Sequence, residues 1–398
     1  MSHGVRAAGV LALAAGLAAA GEDEFDRGLA RLELRAAAQA ASERAERPSR
    51  ERITLGGDDG ASLWVGGTLQ TRYQASFRDG DGLGSEDDTL GFSIRRLRIR
   101  LEGKLPDDRA SFRIRTESAP GSETRLLEAY VDFRPVEGLR LRVGQSINRF
   151  SRIWYTPNTY QLAVDRPIVV NQTHPVAFLR SQGFEMELRN ESDRFFLQLT
   201  EGSLSFNSGF DGSPDDWAVT ARWDHKFAGA WSQLGQLTSP PGSEFAAVVG
   251  AGFHAEGSDD DEDGRLAWTV DGSVYGDGWV VTAGYLGRSA EDLNVGGSQP
   301  ESVHSVFVEG GRYLSDRFEV FARYEHSLTS DDGVEDFSFV TAGFNYYFFG
   351  QPLKLSADIS YAINEVDDVY DRSVDGLLED LAGEDGQIVV RTQLQLLF

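Results

Sequence analysis

Beyond Gly56 the chain alternates apolar and polar residues with a period of two. The alternation comes in segments of about 9–14 residues bounded by Gly, Asp, Pro and Asn, roughly sixteen in all. They begin near Leu63, Phe92, Ala110, Arg125, Leu139, Gln182, Arg194, Trp217, Phe245, Arg265, Trp279, Val303, Phe318, Phe337, Leu353 and Gln387. In the fifteenth, Leu353, Leu355, Ala357, Ile359, Tyr361 and Ile363 share one face, while Lys354, Ser356, Asp358 and Ser360 share the other. One apolar and one polar face at period two describe a β-strand that meets a different solvent on each side.

The connections alternate too. Pro106-Asp107-Asp108, Pro135 to Gly138, Asn190 to Asp193, Ser315-Asp316 and Gly350 to Pro352 are short; Asp79 to Asp88, Glu256 to Gly264, Ser289 to Glu301, Thr329 to Asp336 and Asn364 to Gly386 are longer and often strongly acidic. Short turns at one end and long loops at the other predict an all-β fold, a transmembrane antiparallel β-barrel of about 16 strands with periplasmic turns and extracellular loops. The connection Ala228 to Glu244 is too long for its short-turn slot, and the pattern gives no account of it. The last segment alternates from Ile388 to Phe398. Pairing it with the first removes both sheet edges, as a lipid surrounding requires. Its terminal Phe398 resembles the signal that outer-membrane assembly machinery reads. Phe195-Phe196 and Tyr346 to Phe349 read as interfacial aromatic girdles.

Upstream, Arg6, the apolar run Val10 to Leu17 and Ala18-Ala19-Ala20 read as a signal peptide over residues 1–20. Residues 21–55 read as a periplasmic helical or coiled-coil segment and linker, with Phe25, Leu29, Leu32 and Ala36 at helical spacing and Pro48 as its end. Residues 56–398 are then the barrel, located in the bacterial outer membrane.

Parity places the charges. In the second segment Leu97, Ile99 and Leu101 alternate with Arg96, Arg98 and Arg100. An arginine on the lipid face costs about 2–4 kcal/mol near the midplane, so the arginines face the lumen. By the same rule Arg113 and Arg115 point inward beside Phe112 and Ile114, and Arg140 and Arg142 beside Leu139, Leu141 and Val143. Phe92 and Ile94 have the opposite parity, which predicts a bulge or strand start near Arg95. From Phe92 to Arg152 there are 14 Arg and Lys against 8 Asp and Glu, a net +6 in a chain of net charge -25. Glu102, Glu117, Glu128 and Asp132 are candidate partners, and Glu185, Glu187 and Asp358 also face inward further round. Guanidinium groups bind carboxylate and phosphate bidentately, and rings of them favour anions. Two readings stay open: an arginine ladder that prefers anions, or a transverse field without selectivity.

Composition removes other classes. Without cysteine there is no disulfide and no thiol catalysis, and the acidity argues against nucleic acid as a partner. Asp259, Asp261, Asp263 and Gly264 open like a calcium loop, but its twelfth position is Val270. The six histidines have no metal spacing, and there is no G-x-S-x-G, Walker or Rossmann motif. No enzyme, cofactor or metal is therefore expected.

Three stretches carry a resemblance: "RRLRIRLEGKL" (Arg95 to Leu105), "LLEAYVDFRPVEGLRLRVGQ" (Leu126 to Gln145) and "RFSRIWYTPNTYQLAVDRP" (Arg149 to Pro167), followed by "RSQGF" (Arg180 to Phe184). They are similar to the phosphate-selective porin O and P family in Arg95, Arg96, Gly103 and Lys104, in Ala129 to Asp132, in Gly144 and Gln145, and in Phe150, Ser151, Thr156, Asp165 and Arg166. The resemblance implies a sixteen-stranded homotrimeric porin. It also implies that residues 146–179 fold inward as a constriction loop, in which Arg149, Arg152, Tyr155, Asp165 and Arg166 contact solute or wall. After Gly144-Gln145 the family has an aromatic residue and a lysine, where this chain has Ser146 and Ile147. With Lys104, Lys226 and Lys354 its only lysines, a lysine-built phosphate site does not carry over. The expected function is passive diffusion of small hydrophilic or anionic solutes, with outer-membrane lipid and lipopolysaccharide as surroundings. The alternatives are an unselective porin and a non-conducting anchoring or binding protein.

Overall fold

A computed structural model describes residues 53–54, 61–78, 88–105, 109–118, 123–172, 180–202, 205–209, 217–257, 264–290, 302–330, 336–367, 370–371, 373–380 and 386–398. The expected signal peptide, the expected N-terminal helix and the calcium-like Asp259, Asp261 and Asp263 lie outside these residues. The chain divides into two units, Met1–Trp64 and Val65–Phe398. In the first, Ile53 and Thr54 pair with Leu63 and Ser62.

Sixteen strands follow one another. They are β1 Ser62–Phe77, β2 Asp88–Lys104, β3 Ala110–Ser118, β4 Arg125–Val136, β5 Leu139–Ile147, β6 Arg180–Arg189, β7 Asp193–Thr200 and β8 Trp217–Ala228; then β9 Ala246–Gly257, β10 Gly264–Gly276, β11 Trp279–Ala290, β12 Ser302–Tyr313, β13 Phe318–Thr329, β14 Phe337–Tyr347, β15 Leu353–Ala362 and β16 Ile388–Leu397. Each neighbours the next in sequence, and β16 pairs with β1 from Ile388 opposite Phe77 to Leu397 opposite Thr68, so the sheet closes. At the seam Gly67 N–H donates to the Phe398 carbonyl (2.7 Å), and Phe398 N–H returns a bond to the Gly67 carbonyl (3.2 Å). A Cβ on Gly67 would lie 2.3 Å from the Phe398 ring, so glycine makes room for the last side chain.

The pleat sorts side chains as the alternation predicts. Leu97, Ile99, Ile114, Val131 and Val143 are exposed on the outer face; Arg96, Arg98, Glu102, Glu128, Asp132 and Arg142 are buried inside. In β2 the exposed positions step from Phe92 and Ile94 to Leu97 and Ile99, so Arg95 and Arg96 lie side by side within the barrel. β2 begins at Asp88 rather than Phe92, because the polar Asp88-Thr89 pair continues the strand where alternation alone read a loop.

Three connections turn inward. Residues 148–172 carry a short helix α1 (Arg152–Tyr155), a 3-10 turn (Asn158–Tyr160) and a second helix α2 (Ile168–Gln172). Phe150, Ile153, Ile168, Val169 and Val170 bury themselves against inward apolar positions of the wall, among them Ala267, Leu286, Phe307, Phe337 and Val389. Residues 229–245, the connection that the turn rhythm left unexplained, insert Leu234 and Leu237 into the same interior. Leu237 N–H donates to the Tyr160 carbonyl (3.0 Å), so this connection props the larger one. From the long-loop end, Val366, Tyr370 and Leu377 join the cluster, with Tyr370 stacked 4.2 Å from Phe337.

Candidate functional site

Charged partners face each other across β2 to β6 because the antiparallel register sets them opposite. Arg98 stands opposite Glu117, Glu102 opposite Arg113, Arg115 opposite Glu128, Asp132 opposite Arg142, and Arg140 and Arg142 opposite Glu187 and Glu185. Every pair is in contact. Arg98 bonds Glu117; Arg113 reaches Glu102 (2.6 Å), Arg115 reaches Glu128 (2.6 Å), Arg142 reaches Asp132 (2.7 Å) and Arg140 reaches Glu185 (2.6 Å). Arg100 lies 3.6 Å from Glu102, and Arg96 donates to Gln70 Oε1 (2.9 Å). The four carboxylates expected as partners all serve as such.

Gly144 makes one bend in this wall. Its φ is +125°, and an added Cβ would fall 2.2 Å from the Ala129 carbonyl oxygen. The chain then delivers Gln145, whose Nε2 donates to the Leu126 carbonyl (2.6 Å) and to Asn207 Oδ1 (3.1 Å).

The inward segment divides the five loop residues singled out above. Asp165 is an anchor: its carboxylate lies 2.6 Å from Arg72, 3.5 Å from Arg96, 3.7 Å from Arg95 and 3.8 Å from Arg391. Arg166 is buried and ties the segment to itself, donating to the Ile153 (3.0 Å), Trp154 (2.7 Å) and Thr156 (2.7 Å) carbonyls. Arg152 turns away from the arginine wall; its guanidinium donates to Tyr275 Oη (2.6 Å), Ser273 Oγ (3.3 Å) and the Leu234 carbonyl (2.5 Å). Arg149 and Tyr155 stay on the arginine side: Arg149 is 3.5 Å from Glu185, and Tyr155 Oη donates to Asp224 (3.0 Å).

The opposite wall is acidic, and the segment covers it. Asp271 accepts from Arg152 N–H (2.9 Å), Asp358 from Val164 N–H (3.2 Å) and Glu325 from Val169 N–H (3.1 Å). Remaining lone pairs of this wall go to Arg222, Arg323 and Arg391. Those carboxylates are thus consumed by the segment and by ion pairs, and the open space lies along β2 to β8.

That space is a run of three cavities that share lining residues. The first, about 170 Å³ near the long-loop end, is bounded by Arg95, Arg96, Arg98, Arg166 and Arg180, with Glu117, Asp165 and Asp375. The middle one, about 240 Å³, is lined by eight arginines (Arg98, Arg113, Arg115, Arg142, Arg149, Arg166, Arg180 and Arg194) and one carboxylate, Glu128. The third, about 790 Å³, opens among the short turns beside Arg109, Arg113, Arg140, Arg142 and Arg194, with Asp132, Glu137 and Glu187. Such convergence of one sign of charge in a low-dielectric cleft concentrates counter-ions of the other sign.

Several lining residues escaped sequence reasoning. Arg180 has the outward parity of Ile147, its register partner, yet both border the cavities where the strand ends bend inward. Phe196 is not part of a girdle: Phe195 faces out, while Phe196 is buried under Arg149 (5.3 Å) and Arg194 (5.0 Å). Tyr347 likewise points inward and donates to Glu319 (2.6 Å). Parity counted from Arg194 would have turned Phe196 inward. Among the described residues no group of three or more His, Asp or Glu side chains gathers to hold a metal ion.

Residues 68–234, the stretch that contains the arginine wall and the inward segment, match the model of the phosphate-selective porin O and P family. The chain is an outer-membrane porin, similar to this family over that stretch. No curated protein sequence matches it. Its barrel is similar to three solved porin structures. An anion-selective porin from Comamonas acidovorans superposes with a TM-score of 0.62 at 10% identity, over 85% of this porin and 100% of that chain. An OmpF of Salmonella typhi in complex with daunomycin gives 0.59 at 13% identity, over 87% and 100%. The outer-membrane channel DcaP of Acinetobacter baumannii gives 0.56 at 14% identity, over 86% and 100%. At these identities the likeness is one of fold.

Proposed function

We propose that this porin conducts small hydrophilic solutes by passive diffusion with a preference for anions, along the arginine-lined side of its lumen. The observation that carries the reading is the middle cavity, where eight guanidinium groups meet one carboxylate. The acidic wall that would oppose them in a transverse field is bonded to the inward segment instead. Residues 146–179 act as the constriction, with Arg149, Tyr155 and Arg166 at the passage, Asp165 as the anchor and Arg152 as a support on the far side. Arg96, Arg98, Arg100, Arg113, Arg115, Arg140 and Arg142 form the solute-contact ladder. The charges favour anions as a class. The near absence of lysine gives no ground for phosphate in particular. Family likeness supports a homotrimer, and the outer-membrane location makes lipid and lipopolysaccharide its surroundings.

Reversal potential across a planar bilayer in a potassium chloride gradient tests this. The wild-type potential shifts toward that of chloride, and replacing Arg98, Arg113 and Arg142 by Gln moves it toward zero. A wild-type potential near zero or on the potassium side would sink the anion reading in favour of an unselective porin. Absence of conductance would favour an anchoring protein.

A further inference from the structure

We infer that the middle cavity is a binding site for planar aromatic anions, of which an aryl monocarboxylate is the simplest. The inference rests on the channel reading above and adds the class of solute. Its basis is the way rings and guanidinium groups alternate there. Trp231 arrives on the 229–245 connection, far from the constriction in sequence, with its Nε1 held on the Asn190 carbonyl (3.2 Å). The Arg194 guanidinium sits 4.7 Å from the Trp231 ring, 5.0 Å from Phe196 and 5.7 Å from Tyr155. Arg149 lies 5.4 Å from the same Tyr155 and 5.3 Å from the same Phe196. Three separate parts of the chain thus bring rings to two arginines.

A bare inorganic anion is held through N–H donors alone, and water-filled anion paths need no aromatic surface. A guanidinium group offers two chemistries at once: a fork of donors along its edge and a flat face that stacks on π-systems. Rings fix the planes of Arg149 and Arg194. Arg194 Nε and Nη2 already donate to Asp224 (3.2 and 2.9 Å), so a solute carboxylate meets the Nη1 end of Arg194 and the Arg149 fork, 3.5 Å from Glu185, while Trp231 and Tyr155, both partly exposed, give apolar surface to the rest of the solute. The space is sufficient. An apolar cavity of about 150 Å³ holds benzene, and this one is about 240 Å³ and continues into a larger chamber.

The experiment is block of single-channel chloride current by benzoate against acetate, which carries the same charge without the ring. In the wild type benzoate blocks at a concentration about tenfold lower than acetate. In Trp231→Ala that ratio falls to near one while the chloride reversal potential is unchanged, and Trp231→Phe, which keeps a ring, retains most of it. A ratio near one in the wild type overturns the site, as does a ratio untouched by Trp231→Ala in channels of wild-type conductance. If Trp231→Ala yields no channels, the comparison of Trp231→Phe with Trp231→Leu decides: equal ratios overturn the site. A wild-type reversal potential that is not anion-shifted rejects the underlying anion preference instead, whatever the ratio.

Discussion

Replacing Asp165 by Asn removes one negative charge from a position where four guanidinium groups converge. Arg95 keeps Asp375 (3.0 Å) and Arg391 keeps Asp358 (2.7 Å), so two of the four retain a carboxylate. Arg72 and Arg96 fall back on Gln393, Gln70 and the Val374 carbonyl. Breaking a buried pair while leaving its cation in place costs about 3–5 kcal/mol, and the partial compensation puts this case near the lower end, about 3 kcal/mol. The neighbouring grips on the segment are hydrogen bonds: Lys354 to the Gln161 carbonyl (3.1 Å), Asn345 to the Leu162 carbonyl (2.8 Å) and Arg323 to the Asp165 carbonyl (2.9 Å). Each is worth about 1 kcal/mol, or about twice that where the donor is charged. The lost term is therefore comparable to these local grips, and, with Phe150, Ile153 and Val169 still buried elsewhere, it is the stretch around Asp165 that should leave its seat for a measurable fraction of the time. The assay is single-channel recording, with higher mean conductance and more open-channel noise expected in Asp165→Asn. Wild-type conductance and noise in the variant would refute the reasoning. The seat also has a pH signature. Burial alone would raise the Asp165 carboxyl, but Arg72, Arg95 and Arg96 hold it well below the usual carboxylate range. A depressed folded-state value stabilises above the unfolded value of about 3.9 and is lost only as pH falls through the depressed one. The difference in noise between the wild type and Asp165→Asn should accordingly persist as pH falls through about 3.9, where a carboxyl of ordinary value is half protonated.

Two other perturbations bear on the wall. Glu128→Gln removes the single carboxylate of the middle cavity, leaving Arg113, Arg115 and Arg180 without it; reversal potential should move further toward that of chloride, and urea unfolding in vesicles should show about 3 kcal/mol lower stability. Gly144→Ala forces a side chain into a positive-φ position 2.2 Å from a carbonyl oxygen; about 1–2 kcal/mol of backbone strain plus the clash should lower the yield of folded barrel, read as loss of the fast-migrating form in unheated gel electrophoresis.

The strands were legible because each one divides lipid from water, and a two-solvent wall writes period two directly into the chain. The same logic placed Arg98, Arg113 and Arg142 inside, with their carboxylate partners, from the cost of charge in hydrocarbon alone. What did not show was the arrangement of the interior. Arg149 and Arg152 are three residues apart, yet one lies over Phe196 on β7 and the other under Tyr275 on β10. No local pattern separates them, since the choice depends on partners 47 and 123 residues away. Trp231 was hidden for the same reason: the excess length of its connection was visible, but not the place it fills. Arg180 escaped notice because parity holds only while a strand remains in the wall.

The wall grips the inward segment mostly by its main chain. Asp271, Asp358 and Glu325 take backbone N–H groups; Arg323, Asn345, Lys354 and Gln395 take backbone carbonyls. Attachments of that kind are indifferent to which side chains the segment bears. A lineage built on this scaffold is therefore free to exchange residues such as Arg149 or Tyr155, and with them the solutes admitted, without redesigning the surface on which the segment is mounted.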